Sequence, residues 1–163
     1  MIPELDEVVP FDIGFVPDGP MSDPILLQNE WNAFLIFNAV QWTTDHERGK
    51  EGTGIIEIDG SITKFGYPNH DVLGGHSLFK HGLRYSGVFE VIGSTWIQQL
   101  DAQNRIIFPD SDIFSERRHF VFTFHDSTFE CIARDIQAIL SNEPFEQIYE
   151  DITERLLRPY CIG

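Results

Sequence analysis

The sequence predicts an α+β fold: an antiparallel β-sheet built from hairpins, helices packed on one face, and an extended Pro-rich N-terminal arm. Three observations predict it. Residues 54–65 and 119–134 alternate their apolar positions about short turn sequences, the pattern of hairpin strands. Residues 145–156 instead repeat apolar positions at helical spacing. Five of the nine prolines, Pro3, Pro10, Pro17, Pro20 and Pro24, fall in the first 24 residues, a density that forbids a helix and suits extended chain. The domain reading is therefore an arm over 1–24, packed on the body, and a single α+β domain over 25–163. Val8, Val9, Phe11, Ile13, Phe15 and Val16 make the arm too apolar for a solvated tail.

The first element after the arm is the run Ala33-Phe34-Leu35-Ile36-Phe37-Asn38-Ala39-Val40, continuous and rich in β-formers, as in a strand buried on both faces. Asp59-Gly60 between Gly54–Ile58 and Ser61–Phe65 is a hairpin signal, because both turn positions favour residues that accept positive φ. Residues 66–82 carry Gly66, Pro68, Asn69, Gly74, Gly75 and Gly82 and read as a loop. A strand follows over 88–92. Ser94 then caps a short helix carrying Trp96, Ile97 and Leu100, and residues 105–116 return to loop.

His119, Val121, Thr123 and His125 alternate with Phe120, Phe122 and Phe124, so a strand here turns phenylalanines to one face and histidines to the other. Asp126-Ser127 supplies the turn, and Phe129, Cys131 and Ala133 alternate with Glu130, Ile132 and Arg134 on the return strand. The last element is a helix capped by Ser141 or Asn142, with Pro144 in its first turn and Pro159 ending it. Its acids Glu143 and Glu146 come early and Arg155 and Arg158 late, matching the helix dipole.

Charge excludes several functions. Eleven basic against 26 acidic side chains give the 163-residue chain a net charge of −15. Phosphate-backbone binding rests on Lys and Arg, so nucleic acid is excluded as a partner. Anionic membrane is excluded on the same ground. The excess confers solubility, and it can also steer the chain onto a basic protein, as an inhibitor of a nucleic-acid-cleaving protein would require. The start Met1-Ile2-Pro3-Glu4-Leu5-Asp6-Glu7 lacks the basic and apolar regions of a secretory signal, and no stretch reaches the ~18 apolar residues of a membrane span. Cys131 and Cys161 form no CxxC pair, and read as two reduced thiols of a cytoplasmic protein.

Candidate chemistry rests on the six histidines, His46, His70, His76, His81, His119 and His125. There is no HExxH, no cysteine quartet and no glycine-rich phosphate loop. His125 and Asp126 are the candidate catalytic pair: imidazole is a suitable general base near neutral pH, a carboxylate fixes its tautomer, and Glu130 is expected close by across the hairpin. The plainer reading gives Asp126 to the turn and leaves His125 at a strand end. His125-Asp126-Ser127 is not read as a hydrolytic triad, since three consecutive residues do not wedge a base between nucleophile and acid. His76, His81 and His119 are the candidate metal ligands, if the fold carries the loop to the hairpin; the plainer reading makes them surface or hydrogen-bonded core residues.

The sequence is thus read as a non-catalytic interaction module for a protein partner, basic in charge, with no cofactor, as monomer or homodimer. The alternative is a hydrolase-type enzyme, metal-assisted or not, around His125 and the 70–81 loop. A second alternative is a carrier of an apolar small molecule on the phenylalanine-lined face.

Overall fold

In the computed structural model, which describes residues 6–158, the antiparallel α+β content is divided between two sheets packed face to face, not gathered into one. The first sheet has the order β1 (Glu7–Pro10), β7 (Gly87–Ile92), β8 (Arg118–Thr123), β9 (Thr128–Ala133), β6 (Ile62–Gly66). The second runs β10 (Ile136–Ser141), β5 (Arg48–Ile58), β4 (Ala33–Trp42), β2 (Val16–Pro17), with β3 (Ile25–Gln28) also pairing along β4. Two helices complete it, α1 (Thr95–Ile107) and α2 (Phe145–Leu157). Residues 1–5 of the expected arm, Pro159 and Cys161 lie outside the described residues.

Three apolar layers account for the elements. Between the sheets lie Leu35, Phe37, Ile56 and Ile58 against Phe120, Phe122, Phe129 and Cys131. Phe120, Phe122 and Phe124 all face this interior, as the alternation predicts, so the phenylalanine face is core and not a ligand surface. On the outside of the second sheet, Phe34 and Ile36 meet Ile148 and Ile152 of α2. The run Ala33–Phe37 is apolar throughout because both its faces are covered. On the outside of the first sheet, Val8, Phe89, Val91 and Val121 are covered by Leu73, Leu78 and Leu83 from the β6–β7 connection, which contains 3-10 turns at His70–Gly75 and Phe79–His81.

The expected Asp59-Gly60 hairpin does not form. β5 pairs on one side with β4 and on the other with β10, so no edge is left for β6, which pairs instead with β9 in the opposite sheet. Asp59-Gly60 is the corner where the chain changes sheets. The second hairpin forms as read, β8 against β9 with Thr123 opposite Thr128. Ser94 caps α1, its Oγ accepting from the Ile97 amide at 3.2 Å, and the helix runs on to Ile107 through positions read as loop. In α2 the N-cap position belongs to Pro144, because Ser141 is still in β10.

The helices do not share a face. α2 covers the second sheet, whereas α1 has no buried residue along its 13 positions. It is held at its start, where Asp6 accepts from the amide and the hydroxyl of Thr95 at 2.6 and 2.9 Å.

Candidate functional site

The β8–β9 hairpin carries two histidine clusters, one at its base and one at its tip. At the base, strand register sets Glu130 opposite Val121 and one diagonal step from His119, on the face away from the inter-sheet core. A chain of hydrogen bonds runs through this face, and its directions follow from the fixed donors. The Leu78 amide donates to His76 Nδ1 at 3.0 Å, so the proton of that ring is on Nε2, which donates to Glu130 Oε2 at 3.2 Å. The ionised Glu130 carboxylate only accepts, so the proton of the His119 ring is on Nε2 and its Nδ1 accepts from the Ser94 hydroxyl at 2.8 Å, while Ser94 Oγ accepts from the Ile97 amide. His119 Nε2 then donates to Glu130 Oε1 at 2.8 Å. Trp96 stands edge-on to His119 with ring centroids 5.2 Å apart, and Lys64 Nζ lies 4.0 Å from the centre of the Trp96 ring.

Burial by itself would push the Glu130 carboxyl up, but the hydrogen bonds from His119 and His76 outweigh it and hold it down at about 2. An ionised carboxylate is thereby kept in the interior with both oxygens bonded. Ser94, His119 and Glu130 have the composition of a hydrolytic triad without its access. Ser94 is 4% exposed and His119 2%, and the Ser94 oxygen is engaged as the helix cap. A nucleophile must reach its substrate. This one is covered, and the chain it belongs to joins β8, β9, α1 and the β6–β7 connection.

At the tip the arrangement is open. His125 Nδ1 lies 2.9 Å from Asp126 Oδ1, and His70 Nδ1 lies 3.7 Å from Asp71 Oδ1. The two imidazoles stack, 10° from parallel with centroids 5.5 Å apart, and the His70 amide donates to the His125 carbonyl at 2.7 Å. The Tyr85 ring lies 4.4 Å from that of His70. Each ring turns Nδ1 toward the carboxylate of the next residue, so the two Nε2 atoms are the nitrogens left to meet a ligand. Such an imidazole can accept a proton from a bound molecule. Both side chains are about half exposed.

Of the residues the sequence singles out, His125 and Asp126 are therefore in contact, and His76 and His119 are brought together through Glu130. His81 ends the 3-10 turn Phe79–His81 and makes none of these bonds. Among the described residues no three His, Cys, Asp or Glu side chains form a group that could hold a metal ion. Glu130 does not serve His125: the two-residue strand period directs it to His119, while His125 lies beyond the end of β8. The functional candidates that sequence reasoning passes over are Ser94 and His70. A signal existed for His70, since His-Asp occurs twice, at 70–71 and 125–126.

A third feature is the far end of α1. Ile106, Ile107, Phe108 and Ile113 are 76, 71, 62 and 54% exposed, and the helix end and the following loop enclose a groove between Ile107, Phe108 and Ile113. Asp101, Asp110, Asp112 and Glu116 belong to the same stretch. Of its basic residues, Arg105 is bound to Asp101 and the Pro109 carbonyl, and Arg117 to the Ile113 carbonyl. Comparison with family models, with curated proteins and with solved structures finds no match for the chain, so the geometry alone carries the functional reading.

Proposed function

We propose that this chain is a non-catalytic interaction module that holds a basic protein partner, in the cytoplasm. The observation that carries the reading is the bare end of α1. Four large apolar side chains stand there in solvent, two on a helix with no buried residue and two in the loop that follows it, which is the pattern of a surface made to be covered. Acidic neighbours and the net charge of −15 make a second copy of the chain a poor cover and a basic protein a good one. The bonded state of Ser94, His119 and Glu130 agrees with a non-catalytic role. No described helix is long and apolar enough to cross a membrane.

The test is affinity capture from the source cell with the wild-type chain and with an Ile107→Ser/Phe108→Ser variant. The expected result is a basic protein held by the wild type, released by raised salt, and absent from the variant. Equal capture by both chains would overturn the reading.

A second reading has its own observation, the stacked His70 and His125 with Asp126 behind the latter. On it the tip is a hydrolase-type acid–base site without the metal assistance of His76 and His119, whose ring nitrogens are occupied. Hydrolysis of a panel of esters, phosphoesters and peptides by the wild type, abolished in His125→Ala, is the outcome that supports it over the first.

A further inference from the structure

A separate cavity, on neither the histidine face nor the end of α1, lies where residues 10–16 cross from β1 in one sheet to β2 in the other. It has a volume of about 450 Å³, within the range of small-molecule sites, and it opens to solvent. Its lining is apolar and largely aromatic, with Phe11, Phe15, Trp42, Val88 and Phe89 contributing. Trp42 is 51% exposed at the end of β4, an unusual position for an indole with no cover.

The only charged side chain in the lining is Asp12. Its Oδ1 accepts from the Gly14 amide at 2.8 Å, which fixes the carboxylate in a turn at the cavity's edge. Gly14 makes that turn at φ +89°, a conformation other residues rarely adopt. The Gln41 side-chain amide donates to the Gly14 carbonyl at 3.1 Å and ties the crossing segment to β4. Arg118 stacks 5.2 Å over the Phe11 ring and is bonded to Glu90 and Asp135, and Arg48, which pairs with Trp42 across β4 and β5, is bonded to Asp18 and Glu51.

Aromatic faces and a carboxylate select the same kind of guest. A ring quadrupole attracts cations over its face, a carboxylate pairs with them, and apolar walls require that the rest of the guest be hydrocarbon. An anionic guest of the same shape meets Asp12 and the field of a chain at −15. We infer that this cavity binds a small aromatic or alkyl ammonium cation, its apolar body between Phe11, Phe15, Trp42 and Val88 and its charge toward Asp12. The inference is independent of the partner reading, since the two surfaces share no residue.

The experiment compares two probes of like size and opposite charge, phenethylammonium and 3-phenylpropionate, by NMR titration of the 15N-labelled chain. The amides of Gly14 and Gly87 and the indole N–H of Trp42 report on the cavity. The expected result is saturable shifts with phenethylammonium, with a dissociation constant on the order of 1 mM for so small a ligand. Binding of 3-phenylpropionate should be at least about fivefold weaker. Asp12→Asn, which keeps the oxygen that caps the Gly14 turn, should narrow the difference between the probes, leaving only what the field of the remaining acids supplies. Trp42→Ala, at an exposed site that leaves folding intact, should abolish saturation, whereas loose attraction to an acidic surface would survive it. Equal affinity for the two probes, or binding unchanged in Trp42→Ala, overturns the inference.

Discussion

The base and the tip of the β8–β9 hairpin use the same residue types to opposite ends. At the base, His119, His76 and Ser94 surround Glu130, and every side-chain nitrogen and oxygen among the four has a partner. At the tip, 6 residues along from His119, His125 has Nδ1 beside Asp126 and a side chain about half exposed. Burial makes the difference. A buried carboxylate left without donors is costly, so at the base each Glu130 oxygen has a donor and both nitrogens of each imidazole are engaged. In water an imidazole pair carries no such demand. Histidine in this protein is a structural residue where it is covered and a candidate for contact where it is not.

Substituting the same residue type in both places gives the sharpest break. His119→Ala should destabilise the fold by about 3–5 kcal/mol, because it leaves Glu130 charged, buried and short of a donor. His125→Ala should change stability by no more than about 0.5 kcal/mol, as an exposed position. Urea denaturation of the two variants measures both. Similar losses in the two would erase the distinction between base and tip.

Acid should act on the base selectively. The Glu130 carboxyl is held at about 2 in the folded chain against an ordinary 4.5, so the unfolded chain binds the proton more readily. The stabilisation is fully present above about pH 4.5 and is lost as pH falls toward 2, on the order of 3 kcal/mol across that window. Subtracting the stability–pH curve of Glu130→Gln from that of the wild type isolates it. A flat difference curve over this window would show that Glu130 is not held ionised. A smaller effect is expected at the near edge of the same chain. Ser94→Ala removes both the α1 cap and the donor to His119, and should cost about 1–2 kcal/mol by thermal melting. As small a stability effect as that of His125→Ala belongs to the far end of α1, where Ile107→Ser/Phe108→Ser should stay within about 0.5 kcal/mol while removing the apolar surface.

Much of the fold was legible because it depends on local periodicity. The alternation from His119 to Ala133 carries both the hairpin and its inward phenylalanines, and the stripe Ile148–Ile152 carries α2. Asp59-Gly60 was misleading for a physical reason: a turn sequence specifies a reversal of the chain, not which sheet accepts the next strand. That is settled by β10 returning from 78 residues downstream to take the edge of β5. The site was legible in its residue types and not in its pairings. His76 and Glu130 are 54 residues apart and Ser94 and His119 are 25 apart, so no spacing rule connects them. A lone acid in the otherwise uncharged strand Thr128–Ala133 was a usable sign, since such a residue needs an ordered partner. The bare end of α1 was hidden because residues 105–116 read as loop, and how far Ile106, Ile107 and Phe108 stand in solvent depends on the course of a helix that runs on to Ile107.

The most direct test of the central claim is parallel affinity capture with three chains: wild type, His125→Ala, and Ile107→Ser/Phe108→Ser. The account predicts that wild type and His125→Ala retain the same basic protein and that the double variant loses it while remaining folded. Retention by the double variant together with loss in His125→Ala would contradict the account and move the functional surface to the hairpin tip.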